Sequence, residues 1–299
     1  MRCFFQADDG GLSAGVTDGI ISCLGRGPLA GVGVIMGAPH DAGAIALLAA
    51  RKNIALSVHL NLLEGHAVAS PQLIPQLAGK DGRFCHSLGT LAAELFFSGR
   101  KKQLIRAIET EFRAQIERFL AFAPERPLRL DSHLHVHVLP PLRSLLLALV
   151  REYRVRYVRV PAERFHLPAV SPPGQIMGHA RRSLLACWAF PLYSLLAAEG
   201  VASSDFFVGA FASGRMTLDK LRASLRAVSR KGTSRNSIEI MVHPGGLAAG
   251  EKPAAVRERY RGFYTADARA AERNLLVSPA LMAMLESLGV VPYFPAVDK

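Results

Sequence analysis

Short apolar runs punctuate the chain at 3–7 (CFFQA), 31–36 (GVGVIM), 54–60 (IALSVHL), 127–132 (PLRLDS), 155–160 (VRYVRV), 205–211 (DFFVGAF), 237–242 (SIEIMV) and 290–294 (VVPYF). Several are nearly continuous in apolar residues, the pattern of parallel strands covered on both faces. Between them lie stretches with helical spacing. In 101–122, Leu104, Ile105, Ile108, Phe112, Ile116 and Phe119 recur at three- and four-residue intervals and form one apolar stripe. Further helices are predicted over 140–152, 216–230 and 268–287, and Ser13 and Asp41 stand where helix N-caps are expected. This alternation predicts an α/β fold built from βαβ units. Seven to eight units in 299 residues fit a closed or nearly closed (β/α) barrel, with an open doubly wound sheet as the rival. No repeat or linker divides the chain, so residues 1–299 read as a single domain. Turn residues concentrate near 62–100 and 161–180, which read as loop excursions of the kind that serve substrate binding.

The polar residues at the ends of these runs carry the chemistry. Asp8 and Asp9 follow the first run, His59 closes the third, and Asp131, His133, His135 and His137 close the fourth. Arg159 closes the fifth, and Glu239 and His243 lie within and just after the seventh. In a β/α barrel the carboxyl ends of the strands converge on one face, where active sites form. Taken singly, an Asp pair most often caps a turn and a lone His is most often hydrogen-bonded core. Two carboxylates after a buried run, however, cost several kcal/mol unless a cation or hydrogen bonds compensate. DSHLHVH, read as an extended segment, projects three alternating histidines to one face, although only one or two could reach the same ion. Spacing alone thus predicts a mononuclear site of one or two carboxylates and two histidines. That donor set suits a divalent cation with open positions and hydrolytic chemistry.

Composition adds an anionic partner. Lys and Arg number 36 against 24 Asp and Glu, a net charge of +12. A basic balance suggests a membrane surface, nucleic acid or a phosphorylated substrate. The basic residues are spread along the chain without a nucleic-acid-binding module, so nucleic acid is not expected. Cys3, Cys23, Cys85 and Cys187 are far apart, which argues against a disulfide framework or zinc ribbon and for a reducing compartment. MRCFFQADDGG has no signal-peptide pattern, and 183–201 is broken by Pro191. The expected location is cytoplasmic, with peripheral contact at the inner face of the cytoplasmic membrane.

Five ordered motifs, QADDGGLS, SVHLNLLEG, LDSHLHVH, VRVPAE and EIMVHPGG, together resemble those of the YdjC-like carbohydrate deacetylases, the ChbG/HpnK family. ELFFSGRKKQLIRAIETEFRAQIERF and DFFVGAFASGRMTLDKL resemble its HpnK branch, associated with hopanoid biosynthesis. The resemblance implies a distorted barrel of the glycoside hydrolase/deacetylase type and divalent-metal-dependent removal of acetyl from an N-acetylated sugar. Carried over by position, it implies Asp9, His59 and His133 as metal ligands, Asp8 as general base and His243 as general acid. Arg159, Glu239 and His135 are implied in binding substrate or orienting these groups. Gly10 stands where the family has phenylalanine, and Ser57 where it has glycine; these departures bear on pocket shape. The family is described as magnesium-binding, whereas imidazoles suit zinc, cobalt or nickel better. The cofactor expected is therefore a divalent cation, Mg2+ or Zn2+, with Co2+, Ni2+ and Mn2+ open.

The implied substrate is an N-acetylglucosaminyl hopanoid. The alternatives are a soluble or polyprenyl-linked N-acetyl sugar, such as a chitooligosaccharide or capsule precursor, and a non-catalytic sugar- or lipid-binding protein. HARRSLLACWAFPLYSLLAA, 179–198, offers basic then apolar residues for an anionic membrane, against the reading of an ordinary buried helix with a turn at Pro191. Expected partners are an N-acetylated sugar or glycolipid, an anionic membrane surface and a second copy of the chain.

Overall fold

All eight apolar runs carry strands in the computed structural model, which describes residues 1–38, 41–163, 176–252, 256–265 and 267–295. The strands are β1 (Arg2–Gly10), β2 (Leu29–Val34), β3 (Ala55–Leu60), β4 (Arg129–Ser132), β5 (Tyr157–Val158), β6 (Phe206–Val208), β7 (Ser237–Val242) and β8 (Val291–Pro292). The helices are α1 (Ala14–Ile21), α2 (Asp41–Ala49), α3 (Leu88–Phe97), α4 (Lys101–Phe122), α5 (Arg143–Glu152), α6 (Ile176–Ala189), α7 (Leu192–Ala198), α8 (Leu218–Ser229), α9 (Glu258–Thr265), α10 (Ala268–Leu276) and α11 (Pro279–Ser287).

Every strand pair is parallel, in the order β5-β4-β3-β2-β1-β7-β6, with β8 on the first residues of β1. The path stops short of regular closure. Instead the segment entering β6 leans on the β5 edge: Val158 N–H donates to Ala202 O (3.0 Å) and Ala202 N–H to Arg156 O (3.1 Å). The result is a nearly closed barrel, as the strand–helix alternation predicted, distorted in the way the resemblance implied.

The two-residue period of β1 separates the layers. Cys3, Phe5 and Ala7 join the large core packed against the helices. Phe4 belongs to a small cluster with Ala30 and Tyr157, and Gln6 and Asp8 continue its face. This inner face is unusually polar towards the top of the barrel. Gln6, Ser57, His59, Asp131, Arg159 and Glu239 are all at most 1 % exposed and are hydrogen-bonded to one another. Buried polarity of this kind is costly unless paired, so the interior is built for something other than packing.

Several expectations change. The 62–100 excursion contains α3, started by a reciprocal cap between Ser87 and Thr90. The predicted 268–287 helix is two helices, because Ser278 accepts from Ala280 N–H as a cap and Pro279 opens α11. The 140–152 helix begins with a 3₁₀ turn, Pro140–Leu142. Ser13 caps α1, accepting from Val16 N–H at 3.2 Å. Asp41 lies inside the first turn of α2, where it accepts from Gly37 N–H and pairs with Arg118. Within 161–180, residues 164–175 lie outside the described residues. Among those described, no helix is long and apolar enough to cross a membrane, and all four cysteines are free.

Candidate active site at the carboxyl ends of the strands

Adjacent residues of a regular strand point to opposite faces, so Asp8 and Asp9 should not share a site. The end of β1 breaks that rule. Its register against β2 slips between Ala7 and Gly10, and Asp9 takes a left-handed backbone with φ +70°. The bulge turns both carboxylates into one cavity of about 490 Å³. Such a conformation costs of order 1–3 kcal/mol in a non-glycine residue and persists where the surroundings enforce it. Gly10, where the resemblance leads one to expect phenylalanine, is fixed by the packing. A Cβ on Gly10 would meet Val32 Cγ1 at 2.9 Å and Gly33 O at 3.2 Å. Gly33 in turn leaves room for the site, because its Cβ would stand 3.0 Å from both Asp131 Oδ2 and His59 Nδ1. Ser57, the other departure, accepts from Gln6 Nε2 at 3.3 Å.

Asp9, His59 and His133 converge closely enough to hold one ion, their ligand atoms lying within 4.8 Å of one another. Asp9 Oδ1 is 3.5 Å from His59 Nε2 and 3.0 Å from His133 Nδ1. Each imidazole has a carboxylate at its other nitrogen. Asp131 Oδ1 is 2.9 Å from His59 Nδ1, and Glu64 Oε2 is 3.0 Å from His133 Nε2. This is the arrangement that orients metal-binding histidines. Asp8, His59 and Asp131 form a second close set, but Asp8 and Asp131 already pair with Arg159. Asp9 pairs with no lysine or arginine among the described residues, which makes the first set the better cation site.

The charge balance fits a cation. Asp8, Asp9, Glu64, Asp131, Glu239 and Glu272 are buried at this end of the barrel, with Arg159 and Arg269 as buried guanidinium groups. Protons take up part of the excess. Burial alone would lower the His59 pKa, but the Asp131 and Asp8 charges raise it to about 9. Burial likewise opposes, and Asp9 and Glu64 overcome, for His133, raised to about 10. Asp9 is held well below the usual carboxylate range, since His133 and His59 outweigh the effect of its burial. An ion that takes these imidazole lone pairs must displace protons. Zn2+ added to ion-free protein at pH 7.5 is therefore expected to release about two protons per ion. Affinity should rise with pH, by up to about a hundredfold per unit below pH 9 and less above. Calorimetric titration in buffers of different ionisation enthalpy reads this directly; binding without proton release would place the ion elsewhere.

Beneath Asp8 sits Arg159, fully buried. Its Nη1 and Nη2 donate to Asp8 Oδ2 and Oδ1 at 2.6 and 2.8 Å, and its Nε to Glu239 Oε1 at 2.6 Å. Glu239 also accepts from Tyr157 OH at 2.6 Å. Neither Arg159 nor Glu239 lines the cavity; both act on the carboxylate that does. His243 does line it, with Nδ1 unpartnered among the described residues. Burial lowers its pKa despite the nearby Asp9, Asp8 and Glu272 carboxylates, so a proton placed on it is readily given up.

The histidine run departs from the extended reading. Leu134 and His135 both adopt left-handed backbone, φ +48° and +57°, so the chain turns after His133 and the three rings do not share a face. His135 lines the cavity with its ring edge-on to Phe207, and burial holds its pKa well below the ordinary value. His137 points away, its Nδ1 on Ser132 Oγ and its Nε2 on Arg159 O at 2.9 Å.

Sequence reasoning passed over Glu64, Tyr264 and Glu272. Tyr264, on α9, places its hydroxyl 3.2 Å from Asp9 Oδ2 and 3.1 Å from Glu64 Oε2. Glu272, on α10, accepts from His243 N–H at 2.6 Å and Met216 N–H at 2.8 Å. Glu64 stood inside a quoted motif, SVHLNLLEG, and Asp131 inside LDSHLHVH; Tyr264 and Glu272 had no local signal.

A parallel barrel with a buried carboxylate–imidazole cluster at the carboxyl ends of its strands defines an α/β-barrel protein with a hydrolase-type site. Within that class the chain belongs to the YdjC-like protein family, whose model matches residues 2–287. It is similar to the carbohydrate deacetylase of Danio rerio, 27% identical over 310 residues and covering 97% of this chain and 96% of that protein. A carbohydrate deacetylase of Brevibacillus brevis is 32% identical over 161 residues, covering 54% of this chain and 60% of that protein. A crystal structure from Enterococcus faecalis V583, described as a cellobiose-phosphate cleavage protein, shares the fold with TM-score 0.69 and 21% identity over 98% of this chain and 96% of that one.

Proposed function

We propose that this chain is a divalent-metal-dependent carbohydrate deacetylase whose substrate is an N-acetylated amino sugar carried on a lipid, an N-acetylglucosaminyl hopanoid. The deacetylase activity is supported by the family and by relatives that bear that name over nearly the whole chain. The observation that carries the lipid is the cavity wall. Besides the acidic cluster it includes Leu88 and Ala92 from α3 and Leu184, Leu185 and Trp188 from α6, a surface suited to an apolar aglycone. The likeness of 94–119 to the HpnK branch points the same way.

An ion held by Asp9, His59 and His133 would polarise the acetamido carbonyl and make water more acidic. Asp8 takes the proton of the attacking water as its oxygen bonds to the carbonyl carbon. Arg159 keeps Asp8 aimed, and Glu239 and Tyr157 keep Arg159 in place. His243 gives a proton to the sugar nitrogen as the C–N bond breaks, leaving acetate and a free amine. His135 forms part of the wall beside the sugar. Peripheral membrane contact belongs to the same reading. In 179–198, Leu184 and Phe190 are 46% and 45% exposed, and the helix breaks at Pro191 as expected. The side chains of His179, Arg181 and Arg182 lie outside the described residues.

Acetate release from N-acetylglucosaminyl bacteriohopanetetrol, beside N,N′-diacetylchitobiose, tests this with metal-stripped and metal-restored protein. Metal-restored release from the hopanoid is expected. Release from the free sugar alone would keep the deacetylase and discard the lipid. Silence on both with the ion bound would favour the sugar-binding alternative.

A further inference from the structure

Helix α3 carries an apolar track out of the cavity to the surface. Leu88, Gly89 and Ala92 line the cavity, and Phe96, one turn further on, packs against Trp188 with ring centroids 5.4 Å apart and the rings tilted by 32°. Phe97 follows, its ring 6.1 Å from that of Phe96 and the residue 88% exposed. Single exposed apolar side chains are common and mean nothing alone. This one stands at the end of a face continuous with the site. Arg100, Lys101 and Lys102 follow within five residues, and none pairs with a carboxylate among the described residues. An apolar tip with a collar of unneutralised cations is the chemistry of insertion between anionic headgroups.

We propose that the α3–α4 corner, Phe96 and Phe97 with Arg100, Lys101 and Lys102, docks the protein on an anionic phospholipid surface, so that the cavity wall built by α3 and α6 faces the bilayer. The proposal rests on the lipid-carried substrate for its purpose, but docking is read without turnover. The occupant is a bilayer because the corner combines cations with its apolar tip; a second copy of this chain would also bring +12 of like charge.

Co-sedimentation of the metal-loaded protein with phosphatidylcholine vesicles, with and without a quarter phosphatidylglycerol, is the test. Binding to the anionic vesicles alone, weakened by salt, is expected. Phe97→Ser should lower the partition coefficient roughly tenfold or more, since burying an aromatic side chain is worth roughly ten- to a hundredfold. Lys101→Glu with Lys102→Glu should lower it by roughly twentyfold or more, at about fivefold per basic residue lost. Both acids fall in the first turn of α4, where the helix dipole favours them, so this variant keeps its fold. Ion affinity should be unchanged in both variants, since neither touches the acidic cluster. Absence of vesicle binding by the natural protein, or binding by both variants as tight as the natural protein's, overturns the proposal. So does a variant that dissociates a dimer in sedimentation velocity while vesicle binding persists. Failure to deacetylate a hopanoid would leave the vesicle result standing and strike only the substrate.

Discussion

Asp8→Asn is expected to lower kcat by about a thousandfold while the protein still binds its ion. The substitution keeps shape and removes the ability to accept a proton, and a positioned base contributes about 10²–10⁴. Asp8 has both oxygens on the Arg159 fork, at 2.6 and 2.8 Å. Asp8 also lines the cavity, where a reacting water would stand. The ion set of Asp9, His59 and His133 does not include it. Equilibrium dialysis with Zn2+ and acetate release, measured on one preparation, separate the two functions. Near-normal turnover would remove Asp8 from the role of base. Loss of the ion together with turnover would instead favour the second close set, Asp8 with His59 and Asp131, as the binding site.

How far this site could be read beforehand depends on what periodicity can carry. The eight apolar runs gave eight strands, because a parallel strand buried on both faces must be apolar nearly throughout. Their last polar residues therefore marked the cavity end. What periodicity cannot express is a break in itself. Asp8 and Asp9 meet only because β1 bulges with Asp9 at φ +70°, and the three histidines part company only because Leu134 and His135 turn left-handed. Glu64 is placed from a distance. The loop after β3 is held by Asn61, whose backbone N–H donates to Gln115 Oε1 (2.9 Å) and whose side chain accepts from Leu63 N–H and Glu64 N–H. Gln115 lies in turn beside Glu111, which accepts from Val68 N–H and Ala69 N–H. These partners sit on α4, some fifty residues along the chain, and no local pattern connects them. Tyr264 and Glu272 reach the site from the last helices in the same way. The break within 268–287 was readable in principle from the Ser278–Pro279 pair, a helix-start signature inside a run of good helix formers.

The largest loss of stability is expected for Arg159→Met. Arg159 is fully buried and answers Asp8, Asp131 and Glu239 together. Replacing a whole buried ion cluster by apolar residues can be neutral, but removing one partner leaves the others uncompensated and costs about 3–5 kcal/mol. At about 2–4 °C per kcal/mol for large single domains, Tm should fall by roughly 6–20 °C. The pH dependence identifies the cause. In the natural protein burial raises the Asp131 pKa, but Arg159 and His59 outweigh it and leave it lowered. Its contribution to stability is thus present above the unfolded pKa and fades as pH falls through the folded one. Glu239 is already raised by burial, in spite of Arg159. Without the guanidinium both carboxyls move up, so the folded variant holds more protons than its unfolded chain at mildly acid pH. Its stability then increases as pH drops from neutral into the mildly acid range, the opposite sign to the Asp131 contribution in the natural protein. Melting both proteins in chelator across that range should show a Tm deficit that narrows towards acid. A deficit that stays constant would mean that Arg159 serves by packing over Phe207, 5.6 Å from its ring centroid, and not by neutralising the carboxylates around it.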